Sequence, residues 1–151
     1  MPKSLEWTWV CFADLSIADL YDLLQLRSEV FVVEQNCVFL DIDGVDSAAM
    51  HLLGHQSGQL VAYARCFPAG VKFSEASIGR VVTRRTARGA GVGHALVKNA
   101  IDSVCKQWGV QAIRIGAQAQ LTRFYQALGF VGLGRAYIED GIDHIEMLWT
   151  P

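Results

Sequence analysis

Residues 78–94, Ile78-Gly79-Arg80-Val81-Val82-Thr83-Arg84-Arg85-Thr86-Ala87-Arg88-Gly89-Ala90-Gly91-Val92-Gly93-His94, decide the fold. The stretch opens inside a strand-like run, Ala76 to Thr83, whose apolar part is Ile78, Val81 and Val82. It closes at the start of a helix, where Val92, Leu96, Ala100, Val104 and Trp108 recur at helical spacing until Gly109 stops the pattern. Between strand and helix stand Gly89, Gly91 and Gly93. Glycines at alternate positions let a backbone curl tightly and approach a ligand without side-chain clash. Several N–H groups then converge at a helix N-terminus, where the dipole favours negative charge. Arg84, Arg85 and Arg88 add cations beside it. The combination reads as a cradle for a pyrophosphate. Two other phosphate motifs fail here. A P-loop needs a Lys-Ser or Lys-Thr pair after its glycines, and none follows. A dinucleotide fingerprint counted from Gly89 puts His94 in the third glycine position, with no acidic residue about 20 positions on to hold a ribose.

Downstream, Ala112 to Ala117 reads as a short buried strand, Gln120 to Leu128 as a short helix and Phe130 to Leu133 as a strand. Residues 134–143 read as a loop, and Ile142 to Trp149 as the last strand. Upstream, Leu5 to Phe12 alternates like a first strand, and Asp14 or Ser16 can cap a helix through Ile17, Leu20, Leu23, Leu24 and Arg27. That helix continues or restarts through Val30 to Val33. Residues 36–50, with Asp41, Asp43, Gly44, Asp46 and Ser47, read as a long polar loop. Met50 to His55 and Leu60 to Phe67 then form a hairpin around Gln56-Ser57-Gly58-Gln59. A strand-helix-strand unit demands a parallel pair with a right-handed crossover, and hairpins demand antiparallel ones. The expected class is a mixed α/β sheet in a single domain over 1–151.

Composition excludes several functions. A net charge of -2 and pI near 6.0 leave no basic footprint for nucleic acid or anionic lipid. No run reaches the ~18 apolar residues of a membrane span, and Met1 to Glu6 lacks the apolar core of a leader. Cys11, Cys37, Cys66 and Cys105 are scattered, without a C-x-x-C pair or metal-ligand spacing. They read as free thiols in the cytoplasm, with no metal. Asp41, Asp43 and Asp46 do not make a calcium loop, because Gly44 falls at position 4 where such a loop needs glycine at position 6. Arg27, Arg65 and Arg80 occupy apolar faces or strand interiors, which predicts structural ion pairs with carboxylates.

Arg88, Gly91 and Gly93 also satisfy [QR]-x-x-G-x-[GA], and Phe124-Tyr125-Gln126-Ala127-Leu128-Gly129-Phe130 follows at the right separation. In these motifs the chain resembles the GNAT superfamily of N-acetyltransferases. Leu26 to Gln35, Asp43 to Asp46, Ala117-Gln118-Ala119 and Glu139 to His144 narrow the resemblance to the ElaA-like branch, over nearly the whole chain. The resemblance implies a mostly antiparallel twisted sheet, flanked by helices, with one splayed parallel pair that admits the pantetheine arm of acetyl-CoA. Carried over, the backbone of Val81, Val82 and Thr83 pairs with pantetheine amides, and the Val82 N–H polarises the thioester. The N–H groups of Arg88, Gly89, Ala90, Gly91, Val92, Gly93 and His94 hold the pyrophosphate. GNAT folds often pair, so a homodimer is an expectation of the same kind.

Acetyl transfer to a primary amine needs a polarised carbonyl, a deprotonated amine and a proton for the departing thiolate. Tyr125, with an ordinary pKa of ~10, can supply that proton, and its family position also places it against the cofactor. Two residues are candidate bases, Glu34 at the acceptor end of the first helix and His144 by its intrinsic pKa, alongside bulk water. Asp43, Asp46, Glu139 and Asp140 could draw in a cationic acceptor, although acidic loop residues are usually just solvated. The acceptor is expected to be a small-molecule or peptide amine. A non-catalytic acyl-CoA sensor of the same fold is the alternative.

Overall fold

The computed structural model describes residues 4–151; Met1, Pro2 and Lys3, on which the reading of the leader partly rests, lie outside the described residues. Its seven strands are β1 (Leu5–Cys11), β2 (Met50–Gln56), β3 (Gln59–Phe67), β4 (Ala76–Thr83), β5 (Ile113–Gln118), β6 (Phe130–Glu139) and β7 (Ile142–Trp149). Three α-helices accompany them, α1 (Ile17–Arg27), α2 (Val92–Trp108) and α3 (Thr122–Ala127). The strands form one sheet in the order β1-β2-β3-β4-β5-β7-β6. All neighbours are antiparallel except β4 and β5. This is the expected mixed α/β sheet.

Local chemistry sets the elements. Ser16 caps α1 by accepting from the Asp19 N–H at 3.0 Å, so Ser16 rather than Asp14 is the cap. After Arg27 the chain does not restart but widens into a π-helical stretch, Ser28–Glu34, whose bonds skip five residues, as in Gln35 N–H to Val30 O at 3.1 Å. Ser57 and Gly58, at φ 51° and 77°, make the two-residue turn between β2 and β3. Asp140 and Gly141, at φ 51° and 76°, make the same turn between β6 and β7. The loop expected over 134–143 is therefore mostly strand. β6 lies at the sheet edge with nearly every residue facing water, so it carries no alternating apolar pattern, and Gly132 and Gly134 disguise it further.

Two apolar layers cover the sheet. One face packs on α2 through Leu96, Val97, Ala100 and Val104, together with Ile113, Ile115 and Met147. The other packs on α1 and the π-helical stretch through Leu23, Leu26, Val30, Leu53, Tyr63 and Val82. Consecutive Leu52 and Leu53 enter opposite layers, as strand pleating requires. Each fully buried leucine adds about 1.5–3 kcal/mol. Among the described residues no helix is long and apolar enough to cross a membrane.

Candidate active site

The glycine turn keeps the form expected of it. Gly91 is the N-cap of α2 at φ 77°, a left-handed conformation that side chains with a Cβ rarely adopt. No side chain caps this end, and Ala95 is the first residue of the helix whose N–H meets a helix carbonyl, that of Gly91 at 3.0 Å. The N–H groups of Gly91, Val92, Gly93 and His94 thus point out of a helix of 17 residues without intrahelical partners. A Cβ on Gly89 or Gly91 would meet nothing within 4 Å, so these glycines are fixed by backbone conformation and the space beyond them is open. Two of the arginines beside the turn, Arg84 and Arg88, are already engaged. Arg84 donates to Leu60 O at 2.8 Å and pairs with Glu29 at 3.2 Å. Arg88 donates to Thr83 O at 3.0 Å and pairs with Glu34 at 2.8 Å.

β4 and β5 pair at only two positions, Ala76 with Ile113 and Ser77 with Arg114, and then part. Beyond that point one edge of β4 is unpaired. Which N–H groups face the opening follows from the other edge. The Arg84 N–H donates to Val61 O at 2.7 Å, and the register places Tyr63 opposite Val82. Antiparallel ladders alternate, so Val82 is again a bonded position and its N–H points into β3. Val81 and Thr83 point into the opening. The N–H groups facing the opening are those on either side of the Val82 expected from sequence, because pairing register, which no single strand reveals, decides the side; of the two, Val81 lines the cavity. A bulge at Arg80, φ 48°, sits immediately before Val81.

At the splay a cavity of about 360 Å³ crosses the sheet. Val81, Ile115, Ala117, Leu121 and Tyr125 wall it from the α2 and α3 side. Gln118, His144, Glu146 and Tyr137 wall it from the α1 side, where the pairings Gln118 with His144 and Tyr137 with His144 put these side chains on one face. Tyr125 is 6% exposed, set edge-on to Phe124 and Phe130, and lines the cavity, its hydroxyl without a hydrogen-bond partner among the described residues. Burial pushes its pKa up, so it keeps its proton at neutral pH. His144 stacks on Tyr137 at 5.3 Å. Its Nδ1 lies 2.7 Å from Ile142 O, which makes Nδ1–H the donor, and its Nε2 lies 3.8 Å from the Glu139 carboxylate.

Glu34 is elsewhere. It borders a separate surface hollow with Val30, Val33 and Arg85, and its carboxylate is occupied by Arg88. The structure brings Tyr125, Val81 and His144 together and leaves Glu34 out. The wider spacing of the π-helical stretch turns Phe31 and Gln35, rather than Glu34, towards the cavity.

The largest feature missed from sequence is an interlocked set of three arginines and three aspartates. Arg27 binds Asp41 at 2.9 Å and Asp46 at 2.7 Å; Arg65 binds Asp43 through two bonds of 2.8 Å and Asp46 at 2.9 Å; Arg80 binds Asp41 at 2.9 Å. The arginines pair as expected, but of the acidic residues read as solvated, Asp46 is buried, and Asp41 is buried beside it. Burial by itself would raise the Asp46 carboxyl; hydrogen bonds and charge from Arg27 and Arg65 outweigh it and hold Asp46 low. Asp43 is likewise held well below the carboxylate range, with burial opposing and Arg65 prevailing. His51 closes the set, with Nε2 at 2.9 Å from Asp46 O and Nδ1 at 2.6 Å from the Tyr63 hydroxyl. The network clamps the 36–46 loop over the sheet and grips the Arg80 bulge. Sequence offered one signal for the other missed residue, Tyr137. Gly116 interrupts an apolar strand, and a Cβ there would collide with the Tyr137 hydroxyl lying across it.

Known proteins share this architecture. A family model described as acetyltransferase (GNAT) domain matches residues 29–151. Protein ElaA of Escherichia coli is 42% identical over 145 residues, which are 95% of this chain and 95% of ElaA. Its crystal structure superposes with a TM-score of 0.89, covering 97% of this chain and 99% of that one at 40% identity. The crystal structure of an acyl-CoA N-acyltransferase from Pseudomonas aeruginosa superposes at 0.92, with 42% identity and coverage of 97% and 100%.

Proposed function

This chain belongs to the GNAT acetyltransferase family, and from that premise we propose that it transfers an acetyl group from acetyl-CoA to a primary amine by direct attack in a ternary complex. The observation that carries the reading is the sheet-crossing cavity, with Val81 and Tyr125 on its wall and the uncapped N-terminus of α2 at the turn that follows β4. Acetyl-CoA comes from the α2 side as substrate. Its pyrophosphate takes the N–H groups from Arg88 to His94, and the pantetheine arm pairs with the free edge of β4. The thioester oxygen then meets the Val81 N–H, a preorganised donor aimed at the developing negative charge.

The amine enters from the opposite face. Its nitrogen gives a proton to His144 Nε2, directly or through water, and attacks the carbonyl carbon; a C–N bond forms and the C–S bond breaks. Glu139 stabilises the imidazolium that results. Tyr125 gives its hydroxyl proton to the departing sulfur, and the proton on His144 passes through solvent to the tyrosinate, so that the one proton lost by the neutral amine balances the one gained by the thiolate. The whole of 1–151 acts as one domain in this scheme, cytoplasmic and metal-free. The acceptor is a small-molecule or peptide amine, and nucleic acid and membrane take no part. Homodimerisation belongs to the same proposal and is checked by light scattering.

The test is Tyr125→Phe. Turnover, read as thiol release with an amine panel, is expected to fall about 100-fold while the acetyl-CoA thermal shift stays at the wild-type value. Undiminished turnover removes Tyr125 as the acid. Tight acetyl-CoA binding by the wild type with no release for any amine would make the chain a sensor.

A further inference from the structure

The geometry points to the class of acceptor, an inference that rests on the acyl-transfer reading above: a primary amine carried on a compact aromatic body with no second positive charge. The acceptor half of the cavity is walled by five rings, those of Phe31, Phe39, Phe67, Phe73 and Tyr137. Three are backed by guanidinium groups, Arg65 over Phe67 at 5.1 Å, Arg80 over Phe39 at 5.6 Å and Arg114 over Phe73 at 5.7 Å. Such stacking fixes those three rings in place, and Tyr137 is held against His144, so most of the wall is a rigid surface that a flat ligand can match at low entropic cost.

The charges of the wall select in the same direction. Each of those arginines is matched by carboxylates, Arg65 by Asp43 and Asp46, Arg80 by Asp41, Arg114 by Glu75 and Glu146. Glu146 is thereby occupied, and among the described residues the interior offers no unpaired carboxylate to a second ammonium. At the mouth, Glu139 and Asp140 on the β6–β7 turn can offset the charge of one arriving ammonium, and exposed Lys72, also on the wall, makes each further positive charge less favourable. Inside, apolar rings favour the neutral amine, which is the nucleophilic form. A volume of about 360 Å³ is small for a ligand pocket and must also admit the thioester end. An arylalkylamine satisfies all of these conditions. A polyamine fails on charge, and a polypeptide segment fails on size.

Two measurements on the full chain test this. In thiol-release kinetics with acetyl-CoA, 2-phenylethylamine is expected to exceed n-butylamine, spermidine and an N-blocked lysine peptide by about tenfold or more in kcat/KM, the worth of one good aromatic contact. In calorimetry with CoA present, 2-phenylethylamine binds and spermidine does not. Phe73→Leu, which keeps bulk but loses the ring, lowers the 2-phenylethylamine kcat/KM by about fivefold to tenfold and leaves the acetyl-CoA thermal shift unchanged. A preference for spermidine or the peptide, or an unaltered Phe73→Leu enzyme, overturns the acceptor class while catalysis stands. Binding of 2-phenylethylamine without turnover upholds the pocket and overturns the transfer reading instead.

Discussion

Two regions of this molecule handle charge in opposite ways. The turn before α2 presents bare N–H groups to open space and leaves its anion to be supplied. The clamp between the 36–46 loop and the sheet holds three arginines and three aspartates that neutralise one another, with Arg27, Arg65, Asp41 and Asp46 out of water and Arg80 and Asp43 at its rim. The first is built from backbone and costs little stability to leave incomplete, because solvent serves the free donors until a ligand arrives. The second is built from side chains and tolerates no missing member, since a buried charge without its partner is strongly unfavourable. One region is specialised to bind. The other is specialised to hold its neighbours still.

That contrast can be broken most decisively at Gly91. Gly91→Val puts a β-branched side chain at φ 77°, a genuine outlier for such a residue. The local strain is about 1–3 kcal/mol, which the turn relieves by shifting its N–H groups out of convergence. The expected result is complete loss of the acetyl-CoA thermal shift, with the midpoint of the ligand-free protein lowered by only a few degrees. A normal shift in this variant would show that the turn is not the anion site.

The mirror experiment is Asp46→Ala. It strands Arg27 and Arg65 together, and breaking a buried pair from one side typically costs about 3–5 kcal/mol. At about 2–4 °C per kcal/mol for a chain of this size, the midpoint should drop by about 6–20 °C. Acetyl-CoA should still stabilise whatever remains folded. A drop of less than 2 °C would mean that the clamp is ornamental.

How much of each region could be read from sequence follows from the same contrast. Gly89, Gly91 and Gly93 stand within five residues of one another, so the turn is a local pattern, as are the Ser16 cap and the Ser57-Gly58 turn. The clamp joins Arg27 to Asp41, Asp46 to Arg65 and Asp41 to Arg80 across 14, 19 and 39 residues. Its members were legible as unusual arginines and clustered aspartates, but their matching was not, because tertiary geometry sets it. Val81 and Val82 show a subtler limit. Composition locates the strand, whereas the side that each N–H faces depends on the register with β3 and on the bulge at Arg80. β6 escaped for a third reason, since an edge strand facing water has no apolar period to detect.

A pH series sharpens the comparison at His51. Burial lowers its pKa in the folded chain below the ordinary 6.5. The unfolded chain therefore binds the extra proton first, so the stability His51 contributes is fully present above pH 6.5 and is lost as pH falls through the folded value. Asp43 and Asp46, also held low, add a second loss that begins only below about pH 4. Each pKa unit of depression is worth about 1.4 kcal/mol, so the midpoint should fall by about 3–5 °C per unit between pH 7 and pH 5. His51→Gln should flatten that segment and leave the acid one. A wild-type midpoint constant from pH 7 to pH 5 would contradict a neutral buried imidazole.

The smallest expected effect separates two roles for one carboxylate. Glu34 meets Arg88 at 2.8 Å with both side chains about a third exposed, and exposed pairs are worth about 0–1 kcal/mol. If Glu34 only steadies an arginine beside the glycine turn, Glu34→Gln should raise the acetyl-CoA KM by about twofold to fivefold and leave kcat and its pH profile alone. A base behaves differently: its removal lowers kcat and abolishes the acidic limb of the profile. His144→Gln should do the latter, since His144 lines the cavity and Glu34 does not. Were the two variants to exchange behaviours, Glu34 would have to reach the acceptor by leaving Arg88, and the turn and the cavity would be one coupled site rather than two independent ones.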